Sequence, residues 1–204
     1  MSVYSWTKDP VQAAIEYERR SSTPGQRAEA GALIMWAAWT VDSLYYLEEI
    51  VEADRDGPNF FAPHNPATKA VAHLRWAAGS SITAIDLCAA VAARELGLRA
   101  SGNEFDARKL ESKRIDLPAN TVSGWPNEIR NWLVGLIGGP DYPIVLASRH
   151  PLTHRRLIRH FTAADRSIRV DIGRARYATD ELILRARKLA TRQVESFLGV
   201  VAAL

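Results

Sequence analysis

Two long stretches of helical apolar spacing, each opened by a proline, constrain this chain more than any other feature. The first runs from about Pro24 to about Asp56, and its apolar positions include Leu33, Ile34, Trp36, Ala37, Val41, Leu44, Tyr45 and Leu47. That spacing belongs to a helix, and the middle of it is apolar nearly all round, which predicts deep burial with Trp36 and Trp39 in the core. Asn65-Pro66 opens the second, which runs to about Leu98 with Ala70, Leu74, Ala77, Ile82, Ile85, Leu87, Ala90 and Val91 as its stripe and Trp76 within it. Its many alanines and Gly79-Ser80-Ser81 permit close helix–helix approach. Two such helices with a short connection predict an antiparallel hairpin.

The remaining punctuation is also helical. Asp9-Pro10 reads as an N-cap followed by proline in the first turn, which starts a short helix to about Arg20. Ala100 to Gly124 reads as a long connection with little regular structure. Helical spacing resumes from Pro126 to about Leu136 and stops at Gly138-Gly139-Pro140. Asp141 to Ser148 reads as a short helical segment, after which Pro151 is expected to open a new helix carrying His154 to about Phe161. Ser167 to Ile172 alternates polar and apolar residues at the period of a strand, and Thr179 is expected to cap a last helix to about Val201. At 204 residues this is one domain. The class is all-α: an antiparallel helical bundle with a small extended or hairpin insertion before the last helix.

The net charge of +3 hides an uneven distribution. Arg149 to Arg192 holds 12 Lys/Arg against 4 Asp/Glu, whereas the rest of the chain holds 14 against 19. A basic region favours a polyanionic partner; a solvated, arginine-rich helix face gives the same count. The single cysteine, Cys88, lies in an apolar run and reads as buried and inert, in keeping with a reducing cytoplasm. The first residues, MSVYSWTKDP, contain no apolar signal-peptide core. No charge-free run of about 18 apolar residues is visible, so no membrane association is expected.

Chemistry concentrates at Arg149-His150-Pro151-Leu152-Thr153-His154. A guanidinium holds a phosphate bidentately, and a histidine moves a proton near neutral pH. Groups of these two kinds together are able to cleave RNA without a metal. The same residues also read as structure, with Arg149 in a salt bridge to a carboxylate such as Asp141 and His154 as a partly exposed helix histidine. His150 and His154 are spaced for one helix face and a shared metal, but His160 is too distant for a clear third ligand. Glu48, Glu49 and Glu52 lack the Glu-x-x-His partner of a di-iron bundle and read as a solvated face. Trp36, Trp39, Trp76, Trp125 and Trp132 are able to stack bases, with the first three read as core and one of the last two as exposed.

An arginine, a polar residue, three variable residues and a histidine, late in an all-α chain, resemble the signature of the HEPN superfamily. Arg155 after the histidine fits that pattern, and Ser80-Ser81-Ile82-Thr83-Ala84-Ile85-Asp86 is similar to the small-residue, Asp-containing helix of some HEPN groups. His150 replaces the commoner Asn, Pro151 falls within the motif, and Arg156 stands where one toxin branch has Tyr. The resemblance implies a metal-independent endoribonuclease needing no cofactor. It would leave 2′,3′-cyclic phosphate ends and would be a toxin or defence effector. The implied catalytic residues are Arg149, His150 and His154, with Arg155, Arg156 and Arg159 as RNA-binding cations. The implied partners are RNA, a second copy of the chain in a homodimer, and an antitoxin protein. Two further readings stand beside it: a catalytically silent HEPN-like dimer that binds RNA or protein, and a helical interaction protein with no nucleic-acid role.

Overall fold

A computed structural model of the chain describes residues 4–20, 24–56, 66–96, 107, 108, 110, 126–153, 160–165 and 167–204, with backbone alone at 24–28, 50–56, 66, 68, 150–153, 160 and 161. Helices account for 79% of these residues, so the all-α class holds. Among the described residues six helices stand in chain order: α1 (Pro10–Arg19), α2 (Pro24–Asp56), α3 (Pro66–Glu95), α4 (Asn127–Ile137), α5 (Asp141–Thr153) and α6 (Thr179–Ala203). Between α5 and α6 lie β1 (His160–Thr162), β2 (Ile168–Ile172) and β3 (Ala175–Ala178), an antiparallel sheet in that order.

The cap of α1 acts as its residue dictates. The Asp9 side chain accepts hydrogen bonds from the Val11 and Gln12 backbone N–H groups at 2.8 and 3.4 Å, satisfying donors that the first turn of α1 leaves over. Thr179, expected as the cap of the last helix, is instead its first residue: Ala178 stands at the N-cap with no side-chain hydrogen bond, and the Thr179 hydroxyl donates to the Ile168 carbonyl at 3.2 Å, which ties the helix start to β2. Asp180 and Glu181 then place negative charge at the positive end of the helix.

The long hairpin is antiparallel: Arg94, near the end of α3, pairs with Glu29, near the start of α2, at 3.3 Å. α6 lies against both, with Glu48 of α2 in an ion pair with Arg187 and the Tyr45 hydroxyl 3.2 Å from that of Thr191. Glu48 is thus a tether between helices as well as a partly solvated residue. Alanines on α3 let the helices approach closely, with Ala77, Ala78, Ala84, Ala89, Ala92 and Ala93 all buried. α4 closes the far side through Trp132, which is buried against the Phe197 ring (centroids 4.8 Å apart) and donates its indole N–H to the Gln193 carbonyl at 3.2 Å. Of the two late tryptophans, Trp132 is therefore core, and Trp125 lies outside the described residues.

The sheet has its own small core. Val170 and Ile172 of β2 point inward onto Leu74 and Leu182, while Arg169 and Asp171 alternate outward, as a period of two requires. β2 turns into β3 through Gly173-Arg174, with Gly173 at φ 62°, a left-handed conformation that glycine adopts without steric cost.

The structure corrects several expectations. α2 is not buried all round: its core face is Ile34, Ala37, Ala38, Val41 and Leu44, and Trp36 and Trp39 are 58% and 55% exposed on the opposite side. Trp76 of α3 is likewise 56% exposed. The helix also does not break before the motif, because α5 continues through Pro151 to Thr153. Tyr142, Val145 and Ser148 hold one face of α5 in the core, which sustains the helix through a proline that lacks the N–H to bond Ala147 and crowds its carbonyl. Phe161, expected at the end of a helix, belongs to β1. Finally, Ala107, Arg108 and Leu110 are helical, and Ala107 and Leu110 are fully buried, in a stretch expected to carry little regular structure.

Candidate functional site

α5 presents Arg149 by register. Tyr142, Val145 and Ser148 recur every three residues on its buried side, and the Ser148 hydroxyl donates back to the Ile144 carbonyl at 2.8 Å. Arg149 follows directly, a rotation of about 100° that carries it from the core to the rim. There its Nη1 donates to Asp86 of α3 at 3.1 Å, with the two side chains 32% and 20% exposed. The other Asp86 oxygen accepts the Ala107 backbone N–H at 3.2 Å, so this carboxylate ties α3 both to α5 and to the buried residue Ala107.

The expected partner, Asp141, is occupied elsewhere: Arg185 and Arg192 of α6 approach it at 3.0 and 3.5 Å. Arg149 therefore has a carboxylate partner, but the partner comes from the Ser80–Asp86 segment rather than from its own helix. Asp86 ends an outward stripe of α3 in which Ala72, Arg75, Trp76, Gly79, Ser80 and Thr83 recur at helical spacing. With Thr40 of α2, those six residues line a shallow groove of about 370 Å³. Trp36 stands one turn from Thr40, whose hydroxyl donates to the Trp36 carbonyl at 2.7 Å.

The remaining candidate residues divide clearly. His150 lies in α5 with its backbone alone described. His154, Arg155, Arg156 and Arg159 lie outside the described residues, so the His150–His154 metal pairing lies outside them too. The described arginines of the basic region are largely matched to carboxylates: Arg169 to Asp165, Arg176 to Asp171, Arg185 to Glu181 and Asp141, and Arg187 to Glu48. On α6 the charge excess thus serves to fasten neighbouring elements. Cys88 is buried, and that burial pushes its thiol well above the ordinary value, which keeps it protonated.

Among the described residues one helix, Lys69–Glu95, is long and apolar enough to cross a membrane by length and composition. Its apolar window is 67% buried inside the protein, the pattern of a soluble core helix. Sequence reasoning missed this window because it counted the charges of Arg75 and Asp86 as interruptions. Comparison with protein-family models, with curated proteins and with solved structures finds no match for this chain.

Proposed function

We propose that the chain is a metal-independent endoribonuclease of the HEPN type, acting in the cytoplasm as a toxin or defence effector. The single observation that carries this reading is the Arg149–Asp86 pair. It brings together the two segments that resemble the superfamily, the Arg-x4-His motif and the small-residue helix ending in Asp86, which are 63 residues apart in sequence. A guanidinium has five donors, so a carboxylate that orients one edge is compatible with a phosphate on another. In this reading His154 exchanges the proton, His150 assists it, and Arg155, Arg156 and Arg159 hold the flanking phosphates. The exposed Trp76 with Arg75 in the α3 groove, and the exposed Trp36 one turn from the groove's Thr40 on α2, would give unpaired bases rings on which to stack. A homodimer would bring two motifs to one cleft, and an antitoxin would restrain it. Incubation of single-stranded RNA in EDTA with the wild type and with His154→Ala tests the reading.

A second reading is a silent HEPN-like dimer that binds RNA or protein without cleaving it. Three tryptophans more than half exposed, Trp36 and Trp39 of α2 and Trp76 of α3, favour it, since exposed large apolar surface marks interaction sites. Binding that survives in His154→Ala, with no cleavage by the wild type, would select it.

A further inference from the structure

The N-terminal strap builds a second concave site, remote in sequence from the motif. The Tyr4 backbone N–H donates to Asp42 of α2 at 3.4 Å, and the Tyr4 ring lies 5.0 Å from Tyr45 and meets Trp6 edge-on at 4.9 Å. Thr7 donates from its backbone N–H and its hydroxyl to Glu195 of α6, at 3.2 and 2.9 Å. The strap is thereby fastened to two helices before Asp9 starts α1. Between strap and α2 it leaves an open groove of about 620 Å³, in the size range of ligand sites.

The lining of this groove is selective in its chemistry. Four aromatic rings face it, those of Tyr4, Trp6, Trp39 and Tyr46, together with the carboxyl-bearing Asp9 and Asp42. Among the described residues that line it, none is basic. The Lys8 ammonium is not among the lining groups and lies 3.8 Å from where a side chain on Gly199 of α6 would begin. Aromatic faces and carboxylates both attract cations and both repel anions. Among biological cations a guanidinium fits best, because it is planar, weakly hydrated, stacks on indole and forks onto a carboxylate. Trp39 and Tyr46 remain 55% and 48% exposed, so aromatic surface is left for an occupant. The groove is open along its length and much larger than one side chain, which suits an arginine together with its peptide neighbours.

We propose that this groove binds an arginine side chain presented by a partner peptide. The site does not depend on the ribonuclease reading. The test uses the full chain in calorimetric titration, with the Trp39 indole N–H followed by NMR. The probes are acetyl-Gly-Arg-Gly-amide, the same peptides with citrulline or lysine, and free argininamide. Saturable binding of the arginine peptide is expected, with lysine weaker and citrulline, an uncharged near-isostere, about tenfold weaker or more. Trp39→Ala and Asp42→Asn should each weaken binding about tenfold. Asparagine keeps an acceptor for the Tyr4 N–H, and Trp39 is exposed enough to truncate without loss of the fold, as a thermal melt would verify. Trp76→Ala, outside the groove, should leave binding unchanged. Absence of saturable binding, citrulline binding as well as arginine, or full affinity in Trp39→Ala would overturn the proposal. Argininamide binding as tightly as the peptide would overturn the peptide as the source.

Discussion

The Arg149 guanidinium lies 3.1 Å from an Asp86 carboxylate oxygen, joining α5 to α3 at the rim of the bundle. Neither side chain is more than about a third exposed, at 32% and 20%, so solvent screens the pair less than a surface ion pair. A double-mutant cycle with Arg149→Ala and Asp86→Asn should give a coupling of about 0.5–1 kcal/mol in urea unfolding. Asparagine keeps an acceptor for the Ala107 N–H, so the cycle isolates the ion pair. Additive effects would mean that the pair does not persist in solution.

The tryptophans should separate into two stability classes. Trp132→Ala removes a buried ring packed on Phe197 and a hydrogen bond to Gln193, and should cost about 3–5 kcal/mol. Trp36→Ala and Trp76→Ala remove rings more than half exposed and should each cost about 1 kcal/mol or less. Urea midpoints check both. A large loss at Trp36 or Trp76 would show that these rings are covered, as in a dimer.

Ser81 offers a cleaner test of packing. Its hydroxyl is fully buried in α3 and, among the described residues, has no hydrogen-bond partner. Ser81→Ala removes a desolvated polar atom without leaving a large void, so stability should be unchanged or raised by about 1 kcal/mol. A clear loss would mean that the hydroxyl is hydrogen-bonded in solution.

His73 should make stability depend on pH in a defined direction. Burial, helped by Lys69 and opposed by Asp180, lowers its proton affinity in the folded chain. The unfolded chain therefore binds the proton more readily, and stability is lost as pH falls below about 6.5, the ordinary histidine value, through the lowered native one. Urea midpoints at pH 7.5 and pH 5 should fall further for the wild type than for His73→Gln. An equal fall would assign the effect to other groups.

Much of the fold was legible because its boundaries are chemical. Asp9-Pro10, Pro66 and Gly138-Gly139-Pro140 stop or start helices through caps and missing donors, and the alternation around Val170 and Ile172 marks a strand whose inner face is buried. Orientation was less legible. Trp36, Trp39 and Trp76 satisfy an apolar pattern wherever they point, and in α2 the apolar residues surround the helix, so periodicity alone did not distinguish core from surface. Pro151 misled because local propensity opposes a helix that tertiary contacts at Tyr142 and Val145 sustain. The Arg149–Asp86 pair spans 63 residues and leaves no local trace, although each of its segments carries its own sequence signal.

The measurement closest to the central claim is RNA cleavage in EDTA with end-group analysis of the products, for the wild type, Arg149→Ala and His154→Ala. The account predicts 2′,3′-cyclic phosphate and 5′-hydroxyl ends from the wild type. It predicts a rate at least about 100-fold lower in His154→Ala, the contribution expected of a positioned proton-transfer group. Arg149→Ala should be impaired comparably, through loss of the cation at the scissile phosphate. A folded wild type that cleaves no RNA, or cleavage that persists undiminished in His154→Ala, would contradict it.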